Sequence, residues 1–258
     1  MGRFIIFLYG ALSYVIFFIT FLYAIGFVAD AIVPKTIDNG PATAPVAAFI
    51  IDALLLALFA VQHSGMARRG FKRWLTKFLP QPAERSTYVL LSSAVLILLF
   101  WQWRPLPGVI WQVDAPAGRY ALYALYALGW LIVLTGTFMI NHFDLFGLRQ
   151  VWLHARNIDY SDLPFRTTAF YRIVRHPLML GFLIAFWATP SMSSGHLLFS
   201  IATTAYILLA LQLEERDLVA AHGETYRDYR RRVPMLLPSP WRRSKRDGGF
   251  GSSGVPRI

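Results

Sequence analysis

The chain has no cysteine, which excludes a disulfide framework, a thiolate metal site and a cysteine nucleophile. Charge is scarce as well. Asp, Glu, Lys and Arg together make up 15% of the residues, against roughly 25% in soluble proteins. Acidic residues are the scarcer kind, 14 against 25 basic ones, for a formal net charge of +11. No internal repeat is present, which removes solenoid and propeller architectures. A sequence that is 56% hydrophobic and 16% aromatic is too apolar for an ordinary soluble domain.

What it has instead is long uncharged runs. Crossing a bilayer takes about 20 apolar residues in a helix. Residues 4–29 carry no charge, 44–61 carry only Asp52, and 88–103 and 120–140 are uncharged. The expected fold is therefore all-α, a polytopic integral membrane protein with about five transmembrane helices. Helices are expected over 4–33, 45–63, 84–103 and 118–141, with the last apolar region, 178–213, forming a broken hairpin. The first run lacks a small-residue cleavage site and is longer than a signal-peptide core, so it is expected to remain as a membrane helix. Pro34 and Asn39-Gly40-Pro41 end it. The basic and aromatic stretch 66–78 is expected on the membrane surface, with Trp101, Trp103 and Trp111 as interfacial anchors.

The distribution of the positive charge decides what it is for. Arg68, Arg69, Lys72, Arg73, Lys77 and Arg85 fall in one connection, and Arg149, Arg156, Arg166, Arg172 and Arg175 in another. The intervening connections hold only Lys35, Arg104 and Arg119. Alternation of this kind is the positive-inside pattern, which puts both termini in the cytoplasm. The excess charge then reads as topology and contact with anionic lipid headgroups, and nucleic acid is the poorer explanation.

The same topology collects His63, His142, Asp144, His176 and Glu214 at the cytoplasmic boundary. Helix ends are polar in any case, yet polar groups from distant positions at one depth favour a single cytoplasm-facing cofactor pocket. Pro177 suits the first turn of a helix, whose free N–H groups and positive dipole end suit a carboxylate. The hairpin's second arm is expected to end at Gly223. No tight His/carboxylate cluster occurs, so no metal site is expected.

Arg175-His176-Pro177 before the hairpin, Glu214-Glu215 and Leu218 after it, then Gly223, Tyr226, Tyr229 and Val233-Pro234 resemble the membrane methyltransferases typified by isoprenylcysteine carboxyl methyltransferase. Those enzymes use S-adenosylmethionine. Asn141-His142-Phe143-Asp144 running to Trp152, with Gln62-His63-Ser64-Gly65, is similar to one branch of that superfamily, the bacterial methanethiol S-methyltransferases. The resemblance covers most of residues 1–237 and implies a single membrane-embedded domain there. A basic, then Gly/Ser-rich tail, 238–258, is expected to be disordered. It implies an enzyme of the bacterial inner membrane that methylates a small volatile thiol, methanethiol, to dimethyl sulfide. S-adenosylhomocysteine is the other product.

Carried over residue by residue, the resemblance places the donor at Tyr171, Arg175, His176, Leu180, Gly181, Glu214, Glu215, Tyr226 and Tyr229. Glu214 or Glu215 would hold the ammonium group or the ribose hydroxyls, while Tyr226 and Tyr229 either cover the adenine or pack the tail onto the body. The family pattern usually has Tyr where this chain has Met179, so contacts of that hydroxyl do not transfer. Gly181 matches and would allow close approach of a ligand or a neighbouring helix. His142 oriented by Asp144 is the expected general base, with Asp144 itself nearly as good a candidate and His63 a weaker one. His63, Phe143, Phe146, Arg149 and Trp152 are expected around the substrate. The competing readings are methylation of a larger lipid thiol or a prenylated carboxylate, and a non-enzymatic membrane protein on a related scaffold.

Overall fold

The computed structural model describes residues 2–161 and 169–238; beyond Pro238 the expected tail lies outside the described residues. The long helices are α1 (Arg3–Val28), α2 (Pro45–Ala67), α4 (Glu84–Gln102), α5 (Pro116–Ile140) and α9 (Ser194–Arg232). These five, α4 together with a 3-10 lead-in at Gln81–Ala83, are long and apolar enough to cross a membrane. Shorter pieces complete the chain: α3 (Arg69–Leu75), β1 (Val109–Gln112), α6 (His142–Leu145), α7 (Leu148–Ala155), α8 (Pro177–Trp187) and β2 (Ser191–Ser193). Leu12, Ile19 and Leu22 on α1 and Leu54 on α2 face outward, as lipid-facing side chains do. The protein is a polytopic integral membrane protein.

Its main core is aromatic. Phe27, Phe100, Trp103, Trp130, Phe186 and Phe199 meet within one buried cluster. Trp103 is fully buried and donates its Nε1–H to Ile37 O at 3.0 Å, which corrects its expected place as an interfacial anchor. The reason is local. Helix α1 stops at Val28 rather than near residue 33, and Asp30 and Ile32 take positive φ values of 52° and 72°. The chain folds back there, Ile37 N reaching Phe27 O at 3.1 Å, and Trp103 fills the angle.

Two features set the position of α8. The first is a close approach to α5: a Cβ on Gly129 would lie 2.7 Å from Ala185 N, and one on Gly181 2.7 Å from Gly129 O. Facing glycines let two helix backbones touch. The second is a short antiparallel pair that sequence patterning did not anticipate. β2 follows α8 and pairs with β1, Val109 opposite Ser193 and Gln112 opposite Ser191, with an irregularity between Val109 and Trp111. Val113 N also reaches Pro190 O at 2.8 Å. The turn of the hairpin is thereby fixed to the α4–α5 connection, at the end of α5 away from His142. As expected, Gly223 ends the helix of the second arm: it takes non-helical φ 55° and ψ -130°, and a second helical stretch follows across this kink as far as Arg232, the two being labelled together as α9.

Candidate active site at the α5 and α8 ends

The path to the site begins where α5 stops. Asn141 adopts φ 143° and its Oδ1 caps the next turn by accepting Asp144 N–H at 3.1 Å. This sharp change of direction returns His142 to the helix it has just left. Its Nδ1 lies 2.8 Å from Thr137 Oγ1 and its Nε2 lies 2.8 Å from the Tyr14 hydroxyl. Phe138 stacks on the imidazole, with centroids 4.4 Å apart and planes at 8°. The ring is buried, and burial without a charged partner holds its pKa below the ordinary histidine value. His142 is neutral at neutral pH.

Asp144 does not orient it. The Asp144 carboxylate accepts from Arg149 at 2.9 Å and from Tyr160 at 3.4 Å, while both ring nitrogens of His142 already have other partners. Arg149 also donates to Ser161 O at 3.0 Å. Phe146 stacks on Phe17 of α1 at 3.8 Å, Phe143 meets His142 edge-on at 5.4 Å, and Trp152 packs on Phe7 at 5.7 Å. These expected substrate residues form an aromatic margin between α1 and the α6–α7 turn.

The second group surrounds the start of α8. Arg175 donates from Nε to Glu215 Oε1 at 2.6 Å and from Nη1 to the carbonyls of Arg230 and Val233. His176 Nε2 lies 3.3 Å from the same Glu215 oxygen, and Arg230 Nε lies 3.2 Å from the other. Glu215 is buried and fully engaged. Glu214 differs: its side chain is 54% exposed, with Oε2 3.9 Å from His176 Nδ1, so its carboxylate is the one that a ligand can reach. Tyr226 is buried against Tyr229, whose hydroxyl donates to Tyr171 O at 2.7 Å. Burial, with Glu214 nearby, pushes the Tyr171 phenol up to about 12. Leu180 packs on the core cluster and Gly181 faces α5, so both shape the helix contact.

A single contact relates the two groups. Gly136, one residue before Thr137, packs against Leu178, two residues after His176. The His142 and His176 groups therefore flank the α5–α8 contact at the same end. His63 stands elsewhere. It contacts Tyr88 (2.8 Å), Ser92 (3.3 Å) and the Phe59 ring; Ser64 beside it meets Tyr206 of α9 at 3.1 Å. A cavity of about 180 Å³ lined by Gln112, Asp114, Arg119, Tyr123 and Ser191 lies at the opposite end of α5, remote from all of these groups.

Sequence reasoning missed Tyr14, Thr137, Tyr88 and Tyr206. The available signal was weak: phenols and hydroxyls set within otherwise uncharged runs, where each polar group must find a partner.

The family model described as NnrU protein matches residues 53–230. Methanethiol S-methyltransferase of Mycobacterium tuberculosis is 60% identical over 242 residues, covering 94% of this chain and 99% of that protein. Methanethiol S-methyltransferase 2 of Bradyrhizobium diazoefficiens is 57% identical over 246 residues, 95% of each chain. Nurim of Sus scrofa is 29% identical over 176 residues, 65% of this chain and 66% of that protein. No solved structure matches the chain.

Proposed function

The chain belongs to the NnrU family and to the methanethiol S-methyltransferases, and from that premise we propose that S-adenosylmethionine is its methyl donor, bound where α8 meets α9. Its reaction is methyl transfer to the sulfur of methanethiol; with this donor the products are dimethyl sulfide and S-adenosylhomocysteine. The alternation of basic connections supports a site at the cytoplasmic face of a bacterial inner membrane, with anionic headgroups as the partners of the surrounding Arg and Lys side chains.

The observation that carries the donor assignment is the contrast between the two adjacent carboxylates. Glu215 is consumed by Arg175, His176 and Arg230, whereas Glu214 is half exposed beside the start of α8. Helix α8 opens with Pro177 and without a side-chain cap. Its first N–H groups, on Leu178 and Met179, have no acceptor within the helix. An amino-acid moiety fits that chemistry: its ammonium toward Glu214, its carboxylate toward the helix start. Arg175, Glu215, Tyr171, Tyr226 and Tyr229 hold the frame. When bound, the donor supplies a methyl group on a sulfonium, the electrophile of an in-line displacement.

The remaining work falls to the protein. A thiol is mostly protonated at neutral pH, the cysteine reference being about 8.5, so its proton must leave. Neutral His142 is the proposed base. Asp144, held by Arg149, keeps the α6–α7 turn in place. Phe143, Phe146 and Trp152 supply an apolar margin for a small substrate, and exclusion of water there favours the neutralising reaction of a sulfonium with sulfur. His63 with Tyr88 and Tyr206 lines the α2–α9 side.

The test is headspace measurement of dimethyl sulfide from purified, detergent-solubilised protein given S-adenosylmethionine and methanethiol. Product above a Glu214→Gln control supports the assignment. Donor binding without product would move the acceptor toward a larger thiol; folded protein that neither binds nor turns over would overturn the reading.

A further inference from the structure

We propose that Tyr14, on the first membrane helix, is a catalytic residue, its hydroxyl receiving the proton of the substrate thiol while passing its own to His142. The inference rests on the methyl-transfer reading above. It follows from an account of protons at three side chains. Thr137 Oγ1 lies 2.6 Å from Leu134 O. Two oxygens approach this closely only with a hydrogen between them, and a threonine hydroxyl has one to give. Thr137 is therefore the acceptor in its 2.8 Å contact with His142 Nδ1, so Nδ1 carries the imidazole hydrogen. Nε2 is left as the acceptor, and its lone pair is directed at the Tyr14 hydroxyl 2.8 Å away.

The base is thus already bonded, and a thiol arriving from the α1 side meets the phenol oxygen first. That oxygen has lone-pair capacity left after donating to Nε2. In the step, the thiol S–H bond breaks and its proton joins Tyr14. The tyrosine proton moves to His142 Nε2, and the electron pair left on sulfur forms the new bond to the donor's methyl carbon. The bond from that carbon to the donor sulfur breaks as this happens, its electron pair staying on the S-adenosylhomocysteine that leaves. The positive charge lost from the sulfonium reappears on the imidazolium, from which a proton later returns to water. The structure stabilises that cation without a carboxylate: Phe138 presents its ring face at 4.4 Å, and the Nδ1–H, Thr137, Leu134 carbonyl chain draws on the other side. Among the described residues the nearest charges in the chain satisfy each other, Asp144 of α6 pairing with Arg149 of α7.

Placement agrees. Tyr14 has Phe17, Phe18 and Phe143 as ring neighbours, apolar walls suited to a one-carbon thiol. Thr137 follows Gly136, the residue seated on Leu178 at the start of α8, which puts the relay beside the donor helix. The other histidine–tyrosine pair, His63 with Tyr88, has no such link to α8.

Tyr14→Phe keeps the ring packing and removes only the hydroxyl. Its turnover should fall by about 100-fold or more, the usual scale of acid–base assistance, with donor affinity unchanged. The deficit should shrink as pH rises and methanethiol ionises unaided. Thr137→Val, which removes the acceptor at Nδ1, should show a smaller loss with the same recovery. Wild-type turnover in Tyr14→Phe, or a loss equal at every pH, would overturn the relay. So would the same pH-recoverable loss in Tyr88→Phe with Tyr14→Phe unaffected. If folded wild-type protein made no dimethyl sulfide, the parent reading would be what failed, and the relay would fall with it.

Discussion

Arg175 donates its Nε–H to Glu215 Oε1 at 2.6 Å, and both side chains are buried. The same guanidinium also holds the carbonyls of Arg230 and Val233, while the backbone N–H groups of Arg175 and His176 bond Pro234 O and Met235 O. One residue therefore fixes the start of α8, the middle of α9 and the segment after it. Removing one partner of a buried pair leaves the other charge without compensation, at a cost of about 3–5 kcal/mol. Arg175→Ala is expected to lower the unfolding midpoint sharply and to speed amide exchange over residues 230–236. Unchanged exchange there would contradict the anchoring role.

The adjacent glutamates are expected to separate cleanly. Glu214→Gln removes a half-exposed charge that has little structural work. It should weaken S-adenosylmethionine binding by about tenfold, the scale of a hydrogen bond to a charged group, while the unfolding midpoint stays near wild type. Glu215→Gln removes the charge between Arg175, His176 and Arg230, so stability should drop first. Calorimetric binding alongside thermal unfolding reads both; a loss of affinity with Glu215→Gln alone, at full stability, would reverse the assignment.

How much of this was legible in the sequence depends on range. Uncharged runs announced the membrane helices because one local property, apolarity over a helix length, decides them. Arg175-His176-Pro177 and Glu214-Glu215 were legible because the family pattern marks them, and the helix start before Leu178 follows from Pro177 alone. The β1–β2 pair was not, since Val109–Gln112 and Ser191–Ser193 are short and pair only because α8 delivers one to the other. Trp103 looked like an anchor until the fold-back at Asp30 and Ile32, non-glycine residues with positive φ, enclosed it. His142 was noticed, but its partner Tyr14 lies 128 residues away, and the positive φ of Asn141 that turns the imidazole back to Thr137 has no sequence signature.

The α5–α8 contact makes a prediction with an internal control. A methyl group on Gly129 would meet Ala185 N at 2.7 Å and Gly181 O at 2.8 Å, both backbone atoms that cannot move aside. Gly129→Ala and Gly181→Ala should each cost about 1–3 kcal/mol, the range for overpacking. They should also reduce turnover, because the start of α8 shifts relative to Thr137. Gly70→Ala in the surface helix α3 meets nothing within 4 Å and should be neutral or stabilising by up to about 1 kcal/mol. Similar melting behaviour for all three would contradict the close approach.

The neutral state of buried His142 has a pH signature whose direction follows from linkage. In the unfolded chain a histidine gains its proton near pH 6.5; in the folded protein burial delays that gain to lower pH. Above about pH 6.5 both states are neutral and His142 contributes no pH dependence. Below it the unfolded chain holds more protons, so stability falls with falling pH, by at most about 1.4 kcal/mol per unit for one site. The decline from this site stops once folded His142 is itself protonated. Unfolding midpoints at about pH 7.5 and about pH 5 should therefore differ more in the wild type than in His142→Gln. The variant keeps hydrogen-bonding capacity toward Tyr14 and Thr137 without a titrating ring. Equal declines in the two proteins would mean that His142 is not held neutral by its burial, and the proton arrangement deduced for Tyr14 would lose its starting point.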